Sequence, residues 1–412
     1  MTTPRRKFLQ SLAATGGVLA FSTRPPALLA QAAREAKAPD PDGRILVLVQ
    51  LAGGNDGLNT VAPFADDEYR RRRPSLALGR DTVHKLNDSL GLHPQMEGFK
   101  ELFDAGTVAV VQGVGYPNPN RSHFRSMDIW HSARPDIEHK RDGWMGRAMD
   151  AVARQLSGRA PGLALGTARL PLALVSTRVT VPTVRSLEDY QLQLGADTPA
   201  NLKLRRRMMR ELAGNPASSD TDLDFLRRTA GTALDTAEKM SAIARDYQSA
   251  AVYPATGLGQ RLKTVAQLIA ADLGARVYFV TLDGFDTHAE QEGAHAALLG
   301  QLSGAVTAFA KDLKAHGLDK RVLTATFSEF GRRVKENGSL GTDHGAAAPL
   351  FLIGSAVKAG VHGAHPSLVD LDQGDLKHHT DFRQVYATLL ERWLGWPTQA
   401  ALGGKFAPLP VI

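Results

Sequence analysis

Runs of consecutive apolar residues most tightly limit what this chain can fold into. RILVLVQL (Arg44 to Leu51), TVAVVQG (Thr107 to Gly113) and RVYFVTL (Arg276 to Leu282) do not alternate with polar residues, RVLTATF (Arg321 to Phe327) is broken only by Thr324 and Thr326, and LFLI (Leu350 to Ile353) adds a shorter run. A strand with water on one face alternates, whereas a strand covered on both faces need not. Between the runs the apolar residues recur with helical period, over Met96 to Ala105, Ser122 to Ala133, His295 to His316 and Asp381 to Leu394. Strands alternating with helices predict an α/β fold, a layered sheet with helices on both faces.

The stretch from Pro199 to Tyr247 is different: polar, Arg-rich and helical in pattern over Leu202 to Leu212 and Leu223 to Tyr247. It predicts a helical insertion at about 199–247 that joins two halves of the sheet, with Arg205, Arg206 and Arg207 on a solvated helix face.

The amino terminus is an address before it is structure. Arg5-Arg6-Lys7-Phe8-Leu9 fits the twin-arginine export pattern, and an apolar stretch from Leu12 to Phe21 follows. Ala30-Gln31-Ala32 then offers small residues for a signal peptidase. Residues 1–32 therefore read as a signal peptide and 33–43 as a linker, leaving a domain at 44–412 in the periplasm or outside the cell. The formal charge of +7 falls with the leader: removing Arg5, Arg6, Lys7 and Arg24 leaves 45 cations against 42 anions, or +3. So small and dispersed an excess argues against nucleic acid as a partner. Cys is absent, so disulfides cannot stabilise an exported chain, and no apolar run after the signal is long enough to span a bilayer.

Ligands in α/β sheets bind at the carboxyl ends of the strands, so the residues after each run are the candidates for chemistry. They are Gly53-Gly54-Asn55-Asp56-Gly57; Asn120-Arg121-Ser122-His123-Phe124; Asp283-Gly284-Phe285-Asp286-Thr287-His288; and Ser328-Glu329-Phe330-Gly331-Arg332. Gly341-Thr342-Asp343-His344-Gly345 stands just before the fifth run. Asp56 also suits a turn. In an extended Asp286-Thr287-His288 the carboxylate and imidazole point the same way and could share one metal. Ser122 stands at a helix start, where it is either a helix cap or a nucleophile with the helix end holding an oxyanion. Asp and His together suit Zn²⁺ or a similar divalent ion.

The order of Asp, helix-start Ser, Asp with a nearby His, and Asp-His-Gly is similar to that of the alkaline phosphatase and sulfatase superfamily. LAGGNDGLNT, NRSHFRSMDIW, GFDTH, SEFGR, GTDHG and TDFRQVYATLLERWLG, spread over residues 44–396, more closely resemble the domain-of-unknown-function family numbered 1501. The resemblance implies an alkaline phosphatase-like fold with one or two divalent ions. Asp56, Ser122, Asp343 and His344 would surround one ion. Asp286 and His288 would serve a second, with a late histidine completing it: His362, taken ahead of His365, His378 and His379. The Asp286-to-His288 spacing departs from the longer spacing of the phosphatases, which leaves Asp283 with His288 as a substitute pair. His123 and Asp128 would support the ligands, and Arg121 and Arg332 would grip a phosphate or sulfate. The implied function is an exported metal-dependent hydrolase of small anionic phosphate or sulfate esters, acting through Ser122. The alternative is a secreted binding or assembly module with an unidentified partner, on the same fold without catalysis.

Overall fold

The computed structural model describes residues 43–137, 141–155, 161–167, 169–184 and 245–412, together with Arg207, Glu211, Ala242 and Ile243. The signal peptide and nearly all of the linker and of the helical insertion expected from the sequence lie outside the described residues.

Nine strands form one sheet: β1 (Ile45–Ala52), β2 (Val108–Gly115), β3 (Gly162–Leu165), β4 (Thr183–Val184), β5 (Val277–Asp283), β6 (Val322–Phe327), β7 (Ala348–Ile353), β8 (Gly360–His362) and β9 (Thr380–Asp381). The spatial order is β8-β2-β7-β6-β1-β5-β3-β4, with β9 also paired to β2. β1 lies between β5 and β6 and runs parallel to both. Only β7 is reversed, antiparallel to β2 and to β6. That reversal matters for the site. In an all-parallel sheet the segment before β7 would sit at the opposite edge from the ends of β1, β2, β5 and β6. Here it shares their rim.

The main helices are α1 (Glu97–Asp104), α2 (His123–Ser132), α3 (Trp144–Ala151), α4 (Gly257–Ala270), α5 (Gln291–Ala315) and α6 (Phe382–Ala387), the last continuing as a π-helical turn through Leu394. They explain the unbroken apolar runs. Val47, Val49 and Leu51 of β1 pack under α4 and α5 against Leu262, Val265, Leu302 and Val306. Leu46 and Leu48 face the other way, into Trp130, Trp144, Phe382 and Tyr386. Both faces of the central strand are thus buried, each methylene contributing about 0.8 kcal/mol of transfer free energy.

Two expectations about elements need correcting. α5 starts at Gln291 rather than His295, because Glu290, with φ of 44°, turns the chain one residue ahead of it where no apolar periodicity signals a start. The sequence pattern does not predict α3, α4 or the short strands β3, β4, β8 and β9; strands of two to four residues are too short to show a period. Among the described residues no helix is long and apolar enough to cross a membrane.

Candidate metal centre

Two loops and the start of one helix meet at the rim. The loop after β5 brings Asp286 and His288, the loop before β7 brings His344, and the first residue of α2 is His123. Thr287 is buried, whereas Asp286 and His288 both turn toward the rim, the Thr287 amide closing a tight turn on the Phe285 carbonyl at 2.9 Å. The Asp286 carboxylate is the centre of the group. Its Oδ1 lies 3.0 Å from His288 Nε2 and 3.1 Å from His344 Nε2, and its Oδ2 lies 3.3 Å from His123 Nε2. Donor atoms of His123, Asp286 and His344 all fall within 4.8 Å of one another.

The far side of each imidazole is held by an oxygen. His123 Nδ1 is 2.9 Å from Glu329 Oε1, His344 Nδ1 is 2.7 Å from the Arg121 carbonyl, and His288 Nδ1 is 3.4 Å from Asp343 Oδ1. Carbonyls and carboxylates only accept, so the Nδ1 atoms of His123 and His344 carry the protons and donate. In the neutral rings the Nε2 lone pairs are left facing inward. Two observations follow from that arrangement. His123 Nε2 is buried with no hydrogen-bond partner, and the Nε2 atoms of His288 and His344 face each other at 2.9 Å. Inward lone pairs beside a carboxylate repel one another unless a cation lies among them. These donors fit a divalent ion of the Zn²⁺ type.

Burial works to raise the Asp286 pKa, but the hydrogen bond and charge of the Arg332 guanidinium outweigh it and hold the carboxyl at about 2. His344 is shifted down, chiefly by burial, which favours the neutral ring that can bind a metal. Glu329, 1% exposed, accepts from the Gly53 amide at 2.8 Å as well as from His123. The close approach depends on glycine: at Gly53, φ is 116° and a Cβ would lie 2.4 Å from the Asp286 nitrogen.

The structure separates other candidates from this group. Asp56 is fully buried; its Oδ2 pairs with Arg73 Nη1 at 2.5 Å and accepts from Gln291 Nε2. Burial alone would raise its pKa, but the Arg73 guanidinium holds it below the usual value. Asp56 Oδ2 therefore answers a buried arginine, while Asp56 Oδ1 is buried without a hydrogen-bond partner. Asp343 stands behind His288, at its outer nitrogen, and its carboxyl is lowered first by the Asn337 hydrogen bond. His362 lies on β8, where its Nε2 donates to the Lys358 carbonyl at 2.6 Å.

Neither arginine is arranged to grip an anion as expected. Arg332 is buried and donates to the carbonyls of Gly53, Gly54, Phe285 and Thr342 and to Asp286 Oδ1. It stitches three loops together. Arg121 places Nε and Nη2 on the buried Asp375 Oδ2, at 2.8 and 2.6 Å. Ser122 is the exposed N-cap of α2, and its hydroxyl makes no cap hydrogen bond. Its amide donates to Asn120 Oδ1.

The sequence gives His123 only a supporting part and Glu329 none, although both stand in the motifs that mark the rim, NRSHF and SEFGR. Position at the strand ends was the available signal for both. Arg73 and Gln291 carried no signal, since only the fold brings them to Asp56.

A family profile described as "Protein of unknown function (DUF1501)" matches residues 44–399. No curated protein sequence matches the chain. Among solved structures, the zinc complex of the C-terminal periplasmic domain of EcEptC from Escherichia coli is similar at 12% identity and a TM-score of 0.37, over 77% of this chain and 75% of that one. The sulfatase PsFucS1 from Pseudoalteromonas sp. is similar at 10% identity and a TM-score of 0.38, over 99% and 75%. A magnesium-bound mutant of TAB5 alkaline phosphatase is similar at 11% identity and a TM-score of 0.31, over 76% and 92%.

Proposed function

The chain belongs to the DUF1501 family, and from that premise and the rim geometry we propose that it is an exported, metal-dependent hydrolase of phosphate or sulfate esters. One observation carries the reading: three imidazole Nε2 atoms converge on a single carboxylate while each Nδ1 faces an oxygen. His123, Asp286, His288 and His344 would hold one divalent ion. When bound, it supplies Lewis-acid stabilisation of an ester oxygen.

The protein's own groups supply the rest. Glu329, the Arg121 carbonyl and Asp343 fix the three rings, and Arg332 fixes the Asp286 carboxylate. Ser122 is the proposed nucleophile, exposed beside His123 at the positive end of α2, where unpaired amides favour an anion. Export follows the twin arginines Arg5 and Arg6.

The test is elemental analysis of the purified chain, then a screen of chromogenic phosphate and sulfate esters. About one equivalent of divalent metal is expected, lost in Asp286→Ala together with all turnover, while Ser122→Ala keeps the metal and loses turnover. A metal-free wild type would sink the reading. The second reading, a secreted binding module, is favoured by Arg121 and Arg332 both being committed to internal partners. Turnover abolished by Ser122→Ala would exclude it as the whole account.

A further inference from the structure

Beneath the cluster lies a buried polar chain that the proposed chemistry does not use. Gln291, the first residue of α5, is 0% exposed. Its Oε1 lies 2.6 Å from Thr342 Oγ1 and 3.1 Å from Thr287 Oγ1, and its Nε2 donates to Asp56 Oδ2. The orientation of the amide is forced by chemistry: an ionised Asp56 only accepts, so the NH₂ group must face it and the oxygen must face the two hydroxyls.

The two threonines make the arrangement specific. Thr287 lies between Asp286 and His288, and Thr342 lies two residues before His344. A single oxygen thus holds both loops that carry the cluster. The loops meet again where the Thr342 amide donates to the Thr287 carbonyl at 3.4 Å and Asn337 Nδ2 donates to the His288 carbonyl at 2.9 Å. The main chain of Gln291 adds a bond to the Leu340 carbonyl at 2.9 Å. Asp56, in turn, is fixed by Arg73, which also donates to Asn59 and to the carbonyls of Val334 and Arg333.

We infer that Gln291 is a positioning residue that sets the spacing of the Asp286–His288 loop against the Asp343–His344 loop, with the Asp56–Arg73 pair as its anchor. The inference rests on the proposed metal centre. It assigns Asp56 a share in that centre at one remove, through an amide instead of through coordination. Glutamine alone of the common side chains suits the place at this length. Glu would set a second carboxylate against Asp56, and Met would take the amide oxygen from the two hydroxyls and leave Asp56 Oδ2 with Arg73 alone.

The experiment uses the full chain, Zn²⁺ as probe and two variants, Gln291→Met and Thr342→Val, the second removing one arm with nearly no change of shape. Zn²⁺ affinity by equilibrium dialysis should fall about 10- to 100-fold in Gln291→Met and by less in Thr342→Val, as for other residues that orient ligands. The melting temperature of the metal-stripped Thr342→Val protein should stay near that of wild type, which a purely structural role would not combine with lost affinity. Hydrogen exchange on stripped protein should quicken in 286–288 and 341–345 together. Unchanged Zn²⁺ affinity in both variants overturns the inference. If wild type binds no Zn²⁺, the metal reading fails and exchange decides: joint quickening of both loops upholds the spacing role, and unchanged exchange overturns it.

Discussion

Two charged groups sit at the same rim, and they are opposites. Around Asp286 the three imidazoles remain 20–43% exposed and present nitrogens to one another, with the buried Arg332 on the Asp286 Oδ1 at 2.8 Å. Around Asp56 nothing is exposed, and the carboxylate meets a guanidinium at 2.5 Å. Water reaches the Asp286 carboxylate, while His123 Nε2 beside it is buried without a hydrogen-bond partner and is left available for a ligand. Burial at the second makes an unpaired charge costly, and Arg73 and Gln291 both meet Asp56 Oδ2, while Oδ1 is buried without a hydrogen-bond partner. The lesson is that charge at a strand end does not by itself mark chemistry. Accessible, mutually unsatisfied donors do.

The sharpest way to break this comparison is to remove the buried cation. Arg73→Met strands Asp56 without its counter-charge and should destabilise the fold by about 3–5 kcal/mol, measured by urea unfolding. A loss under 1 kcal/mol would mean that water enters the site and that the two regions are alike. Next in size, Glu329→Gln should weaken Zn²⁺ binding about 10- to 100-fold with little change in the melting temperature of stripped protein, because it loosens only the outer side of His123. An affinity equal to wild type would show that Glu329 does not orient the ring.

Acid sharpens the contrast further. Asp56 is held below its ordinary value of 3.8, so the stability that its pairing gives is complete above about pH 4 and is lost as pH falls through the lowered pKa. The stability gap between wild type and Arg73→Met should therefore narrow below that value. A gap constant down to pH 2 would refute the assignment. The smallest effect is expected at Phe124, which is 88% exposed one residue from His123. Phe124→Ser should change unfolding free energy by no more than about 0.5 kcal/mol; a larger loss would show that its ring is covered in solution.

Much of the layered architecture could be read from the chain. β1, β5 and β6 announce themselves because both of their faces are covered, which removes the need for alternation. The rim was also legible, but for an incomplete reason, since the sequence does not reveal that β7 is reversed and that this reversal brings His344 to the ends of β1, β2 and β5. Site chemistry was harder to read. Asp56 and Asp286 look alike in sequence, each following a strand, and only the fold shows that Arg73 claims one of them. Arg121 and Arg332 likewise look free to bind an anion until the acceptors around each are seen. Such partners lie as far apart in the chain as Arg121 and Asp375, beyond any local pattern.

The reversed strand has a practical consequence. Because β6 and β7 are neighbours, the chain from Ser328 to Ala347 leaves the sheet and returns beside its point of departure, carrying Glu329, Arg332, Asp343 and His344 in one piece. Such a hairpin-like excursion is a natural cassette: grafted whole between the same two strands, it would exchange half of the reactive rim while leaving every crossover of the sheet untouched.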